Sequence, residues 1–370
     1  MALDTAAARI NAHRDARAPI ADFVAKTHRN IQQAFSVPNA ERRDLFAVFN
    51  ASYEDLSPND QRRFRALSVA PASGCTADHL AHIWGDAIDI AEQQIDGLLN
   101  LSLIKIIPGR SERFRLHDLQ DEFGLALLNA AGEADAAHLA HAQWVIALFE
   151  AHFTDNLSSA PHVAEEFDNL RHAANWAEAA GEGAILARLA TRPRNWLYNI
   201  FRNTHEWLTW LQHSLSYALP NTSSEPLHAN TLKAIGDVQQ FRDDRDAALK
   251  SYNAALDLFK AVGAKLGEAN VKLAMAQMSQ QRDQWSRLFS EAAAAYEAIG
   301  DAYSTGRAHF YHAIKLREAG DGHTEIRKRL VAARTAWQSI LFERGIAAVD
   351  AELARLDTDG GDAITPSDQP

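Results

Sequence analysis

The sequence predicts a mainly α protein: a winged-helix domain with one short β-hairpin, followed by an α-solenoid of tetratricopeptide-like helical hairpins. Three observations carry this. Apolar residues recur at three- and four-residue spacing over most of the 370 residues. Two short β-prone runs flank a single Pro-Gly turn. A ten-residue pattern in the last third of the chain, Ala254–Gly263, returns 37 positions later as Glu291–Gly300.

Taken in order, residues 3–34 read as two helices split near Ala18-Pro19, because a proline disfavours the helical conformation of the residue before it. Ile20, Phe23, Val24, Thr27, Ile31 and Phe35 form the apolar stripe of the second, and Pro38-Asn39 marks a turn. A helix follows over about 40–53. Ser57-Pro58-Asn59-Asp60 then combines a capping side chain, a proline suited to the first helical position and an acid at the positive end of the dipole. The helix it starts, Gln61 to Val69, turns Phe64, Leu67 and Ser68 inward. Thr76 caps a helix over 77–84, and another spans 88–100. Ser102–Ile107, Pro108–Glu112 and Arg113–Leu116 read as strand, turn and strand. His117-Asp118 opens the next helix, with Asp118 as its cap.

From about Asp135 the pattern is one of helical hairpins, with linkers at Asn156–Pro161, Gly181–Gly183 and Pro220–Pro226. In the first full repeat Gly236, Ala248, Tyr252 and Ala255 stand at tetratricopeptide spacings: small residues allow close helix approach, and the aromatic fills the next gap. A weaker third copy lies at Leu330–Ile340. The expected division is 1–44 as a small helical remnant, 45–130 as the winged helix, 131–220 as helical linker or atypical repeats, and 221–356 as repeats. Residues 357–370 lack apolar content and are expected to be a disordered tail.

Composition narrows the function. The net charge of −11 opposes non-specific binding to nucleic acid or anionic membranes. Nothing approaches the about 20 consecutive apolar residues that span a bilayer, and no signal peptide is evident. One cysteine, Cys75, permits no internal disulfide and fits a reducing compartment, so a cytoplasmic protein is expected. Residues 76–104 contain no Lys or Arg and five acids, which makes a DNA-reading helix there unfavourable. Arg110 and Arg113 at the turn read as ordinary exposed residues. A DNA-binding regulator using the winged helix is kept as the alternative function.

Of the 16 histidines, His79/His82, His138/His141 and His309/His312 are i, i+3 pairs, but no third ligand stands at a recognisable metal-site spacing. His205-Glu206 has Thr209 where a metalloprotease needs histidine. No metal site is expected, and Cys75 reads as a small buried residue. Trp196, Trp207 and Trp210 read as core aromatics, and Arg242, Arg245 and Lys250 as a solvated face. No nucleophile–base pair is seen, so no catalytic residue is named.

Several motifs in order give the stretch from Leu45 to Leu128 a resemblance to the winged-helix domain of STAND/NB-ARC signal-transduction ATPases. They are Ala51–Leu56, Phe64–Val69, Leu80–Trp84, Leu98–Ile104 and Arg115–Leu119. The last is similar to the family's MHD motif, with Leu116 in place of methionine. Met1–Leu3 and Ala6–Ile10 are similar to the end of the family's GLPLAL motif and its helix, and residues 165–176 resemble the linker helices before the repeats of bacterial members. The resemblance covers most of 1–320. It implies an ATPase core N-terminal to the residues given, and no G-x-x-x-x-G-K-[ST] occurs within them. It further implies that His117 senses the ADP β-phosphate, with Asp118 as its structural partner, once that missing domain is supplied. On the residues alone, His117 merely packs after the hairpin and Asp118 merely caps. No cofactor is expected in this chain, ADP or ATP belonging to complete members. The chain is expected not to be an enzyme by itself but a regulatory, protein-interaction module that takes a protein or peptide ligand on its repeats.

Overall fold

Ser57 does what its sequence position asks: its hydroxyl accepts from Asp60 N at 3.2 Å and opens the helix Pro58–Ala66. The computed structural model describes residues 6–8, 11, 48–107, 112–152, 161–193, 204–216 and 225–361. Most of the expected helices over 3–34, the hairpin turn with Arg110, Trp196 and most of the linker at Pro220–Pro226 lie outside them. The chain divides into two compact units, Met1–Asn203 and Thr204–Pro370.

In the first unit, α1 covers 48–53 and α2 is Pro58–Ala66, continued by a 3-10 turn at Leu67–Val69. Helix α3 is Ala77–Trp84, capped by Thr76 Oγ1 and closed by the left-handed Gly85, and α4 is Ile88–Asn100. Strands β1 (Lys105–Ile107) and β2 (Arg113–Arg115) pair antiparallel, Ile106 opposite Phe114. Cys75 extends this ribbon by exchanging backbone bonds with Phe114, at 3.0 and 2.8 Å. Gly74 is required beside it: its φ is +73°, and a Cβ there would sit 2.8 Å from Phe114 O. Helix α5, Asp118–Ala130, follows. Phe49, Phe64 and Phe123 are fully buried with Tyr53 beside them, Tyr53 meeting Phe123 edge-on at 6.0 Å.

Helices α6 (Ala134–Ala151), α7 (Pro161–Ala164), α8 (Phe167–Ala179) and α9 (Gly183–Thr191) follow among the described residues of this unit. Helix α6 packs on α3, and α8 packs on both α6 and α9. Alanines 173, 174 and 177 have no exposed surface, which lets the backbone of α8 approach its neighbours closely.

The second unit begins with α10, Thr204–Ser216, whose Trp207 and Trp210 are buried as a core pair. It continues as antiparallel hairpins: α11 (Glu225–Phe241) with α12 (Arg245–Ala261), α13 (Lys265–Met278) with α14 (Arg282–Ala298), and α15 (Ala302–Glu318) with α16 (His323–Gln338). A further helix, α17 (Glu343–Gly361), packs on α16. The first helices of successive hairpins also touch one another, so the hairpins stack. The repeat read from sequence fixes this spacing: α12 and α14 start at Arg245 and Arg282, and α13 and α15 at Lys265 and Ala302, 37 residues apart in each case. Gly263 and Gly300 close α12 and α14 at φ +68° and +75°. Gly236 lies against Tyr252, whose ring would stand 2.6 Å from an added Cβ. The mainly helical fold with one small hairpin and a helical solenoid is therefore as expected.

Three local expectations need correction. Asp118 is not the cap of α5. His117 occupies that position without a side-chain cap bond, because Asp118 is the first helical residue and its carboxylate pairs with Arg115. Arg113 is not an exposed turn residue but only 4% exposed. The expected tail from 357 overlaps α17, which runs to Gly361 and pairs Asp357 with Arg327; residues 362–370 lie outside the described residues.

Candidate functional site

The residues singled out by sequence sit where β2 turns into α5. Lys105 faces Arg115 across the hairpin, and Arg115 donates to Leu116 O at 2.9 Å, to Ala72 O at 3.0 Å and to Asp118. His117 is half-buried, and burial, with Lys105 adding to it, holds its imidazole below its ordinary pKa. Asp118 is exposed. One turn on, burial raises the Asp121 carboxyl to about 6, against the opposing pull of Arg115. The result is a neutral imidazole beside two cationic side chains at a helix start. That set can donate to an anion held from outside.

In the second unit a cleft of about 460 Å³ opens where the hairpin ends meet. Gln240, Arg245, Gln277, Trp285, Lys315 and Glu318 help line it, so it presents both charges and amide groups. Lys315 is partly buried and donates to Ala276 O at 3.2 Å and Gln277 O at 2.5 Å, binding the C-terminal end of α13 to α15. Arg242, Arg245 and Lys250 are exposed, as expected of a solvated face.

The i, i+3 histidine pairs do not act as pairs. His82 is exposed while His79 is fully buried. His309 faces Glu297, whereas His312 meets Ser286 Oγ at 3.2 Å and stacks on Phe289. His138 stacks on Trp176. Among the described residues, the metal-capable side chains that converge are instead Cys75, His79 and His141. Sequence reasoning missed this set because its members stand 4 and 62 positions apart and belong to three different segments.

Beside that cluster Arg113 makes a buried fork onto Glu166, with Nη1 2.6 Å from Oε1 and Nη2 3.0 Å from Oε2. The same guanidinium donates to Ser73 O at 2.8 Å and Gly74 O at 2.7 Å. The hairpin is thereby tied to the segment just before α8.

The helices of residues 76–104 carry exposed Asp89, Glu92 and Asp96, while Asp86 is engaged by Arg63 at 2.7 Å. That acidic face repels a phosphate backbone. No helix among the described residues is long and apolar enough to cross a membrane.

No family model matches the sequence, and no curated protein matches it. Among solved structures the chain is similar to a signal transduction ATPase with numerous domains (STAND) protein with a tetratricopeptide repeat sensor from Pyrococcus horikoshii, at a TM-score of 0.38 and 14% identity. The match covers 86% of this chain and 64% of that one, so the chain spans less than two thirds of the length of the relative it matches.

Proposed function

We propose that this chain is the regulatory and protein-interaction part of a STAND/NB-ARC-type signalling ATPase. The observation that carries the reading is the stack of helical hairpins at a 37-residue pitch, with a polar cleft of about 460 Å³ at the hairpin ends. Stacks of this kind present an extended surface on which a protein or peptide ligand is read by many side chains at once. In this reading the helices of 45–130 with their hairpin act as a winged-helix relay. His117 is the sensor that donates to a nucleotide phosphate held by a separate domain, with Asp118 fixing Arg115 beside it. The chain alone has no catalytic role and works in the cytoplasm. The acidic 76–104 helices argue against DNA as the partner.

The test pans a random peptide library against the full chain and measures ATP turnover alongside. Enriched peptides should lose binding when Lys315→Glu or Arg245→Glu reverses charge in the cleft, and turnover should stay at background. Turnover abolished by His117→Ala, or peptide binding indifferent to both cleft variants, refutes the assignment.

A further inference from the structure

The first unit buries three metal-capable groups that the function proposed above does not use. Cys75, His79 and His141 each have no exposed surface, and their ligand atoms all lie within 4.8 Å of one another. They come from the segment before α3, from α3 and from α6.

The hydrogen bonding around them is incomplete in a particular way. His141 Nε2 meets Asn169 O at 3.2 Å, while its Nδ1 has no hydrogen-bond partner. A backbone carbonyl on one ring nitrogen fixes the tautomer and leaves the lone pair of the other free, the arrangement in which a histidine ligates a metal. His79 has no partner on either ring nitrogen, although a neutral imidazole carries one N–H that ought to be satisfied when fully buried. Its ring is held flat against Trp144, at 3.7 Å and 8°, and Trp144 is itself fixed through Nε1 to Asp78 Oδ2 at 2.8 Å. The Cys75 thiol has only a long contact, 3.7 Å, to Asn169 Oδ1. Burial keeps both imidazoles neutral, His141 lowered to about 3 and His79 well below its usual value, so each offers a lone pair rather than a charge.

We propose that Cys75, His79 and His141 bind one thiophilic d10 cation, Cu(I) or Zn(II). A thiolate with two imidazoles is a soft donor set, which excludes magnesium and calcium. The Cys75 S–H bond breaks on binding, the sulfur–metal bond forms, and the proton leaves to solvent. With Cu(I) the thiolate charge cancels the ion's, so the buried site is neutral and three-coordinate. With Zn(II) one positive charge remains, and a fourth ligand is needed, for which Asn169 Oδ1 stands at hand. The ion pins the segment that continues the hairpin to α6.

The test uses the full chain, stripped with a chelator under reducing, anaerobic conditions. It is titrated with Zn(II), with Co(II) as its coloured stand-in, and with Cu(I) against a coloured competitor. One equivalent should bind, with a thiolate-to-cobalt charge-transfer band in the Co(II) arm or one Cu(I) withheld from the competitor. The arm that binds identifies the ion. Cys75→Ser, His79→Gln and His141→Gln should each weaken binding by about tenfold or more, while His82→Gln, exposed on the same helix, should bind like the parent. Because a core variant can unfold, alkylation of Cys75, the sole cysteine, is timed on the parent chain in mild denaturant. The bound ion should slow it several-fold. Failure of both ions to bind, affinity unchanged in Cys75→Ser, or alkylation unaffected by added metal overturns the proposal.

Discussion

Replacing Arg113 by methionine should destabilise the first unit severely, and the structure sets how severely. Arg113 and Glu166 are 4% and 3% exposed, and the pair is joined by two bonds of 2.6 and 3.0 Å. Without the guanidinium, Glu166 keeps Asn169 Nδ2, at 2.7 Å, as its remaining hydrogen-bond donor. An uncompensated buried charge of this kind costs about 3–5 kcal/mol, a large part of the about 5–15 kcal/mol that holds a typical domain together. Ser73 O also loses a donor, whereas Gly74 O still receives Asn169 Nδ2 at 3.2 Å. Replacing both partners, Arg113→Met with Glu166→Leu, removes the stranded charge and leaves chiefly Ser73 O unsatisfied, at about 1–3 kcal/mol. The double variant should therefore be more stable than Arg113→Met alone, by about 2 kcal/mol. Urea titrations followed by far-ultraviolet circular dichroism measure all four members of the cycle. A loss under about 1 kcal/mol in Arg113→Met, or additive single and double variants, would refute the reasoning.

Other perturbations test the repeats and the hairpin end. Gly306→Ala places a Cβ about 2.3 Å from Trp337 Nε1 and should cost about 1–3 kcal/mol by overpacking, read as a lower melting temperature. Leu341→Gly should stabilise by about 0.5–1 kcal/mol, because Leu341 stands at φ +55° and is 82% exposed; an unchanged melting temperature would refute it. Burial raises Asp121 to about 6, so the folded state holds its proton more tightly than the unfolded chain, and this contribution is full below about pH 4 and lost as pH rises through about 6. Asp121→Asn should accordingly be the more stable form at pH 7, by about 1 kcal/mol after allowing for partial exposure, and the gap should close by pH 4. A gap independent of pH, measured by urea titration at both, would refute the assignment to this carboxyl.

Much of the fold was legible because its signals are local. Ser57 and Thr76 mark helix starts through bonds made within a few residues, and the 37-residue echo survives as helix spacing because each hairpin solves the same packing problem. Most of what escaped depends on partners distant in sequence. Arg113 looks like a turn residue until Glu166, 53 positions on, is brought to it. Cys75 shows nothing in its own neighbourhood, and His141 reaches it only when α6 packs on α3. Asp118 carries a capping residue type, yet the arginine three positions earlier claims its carboxylate and shifts the cap by one residue. His117 stands at the start of α5, where the local pattern puts it.

Helix α17, the final helix among the described residues, constrains anyone wishing to extend the series. Val349 and Leu356 point inward and are buried, whereas Glu343, Arg344, Ala347, Ala351 and Arg355 on its other side are small or charged. A further module appended beyond this helix would meet a surface whose apolar side chains are alanines set among charges. Lengthening the series should instead proceed by splicing whole 37-residue modules ahead of Glu343, so that the same helix always finishes the assembly.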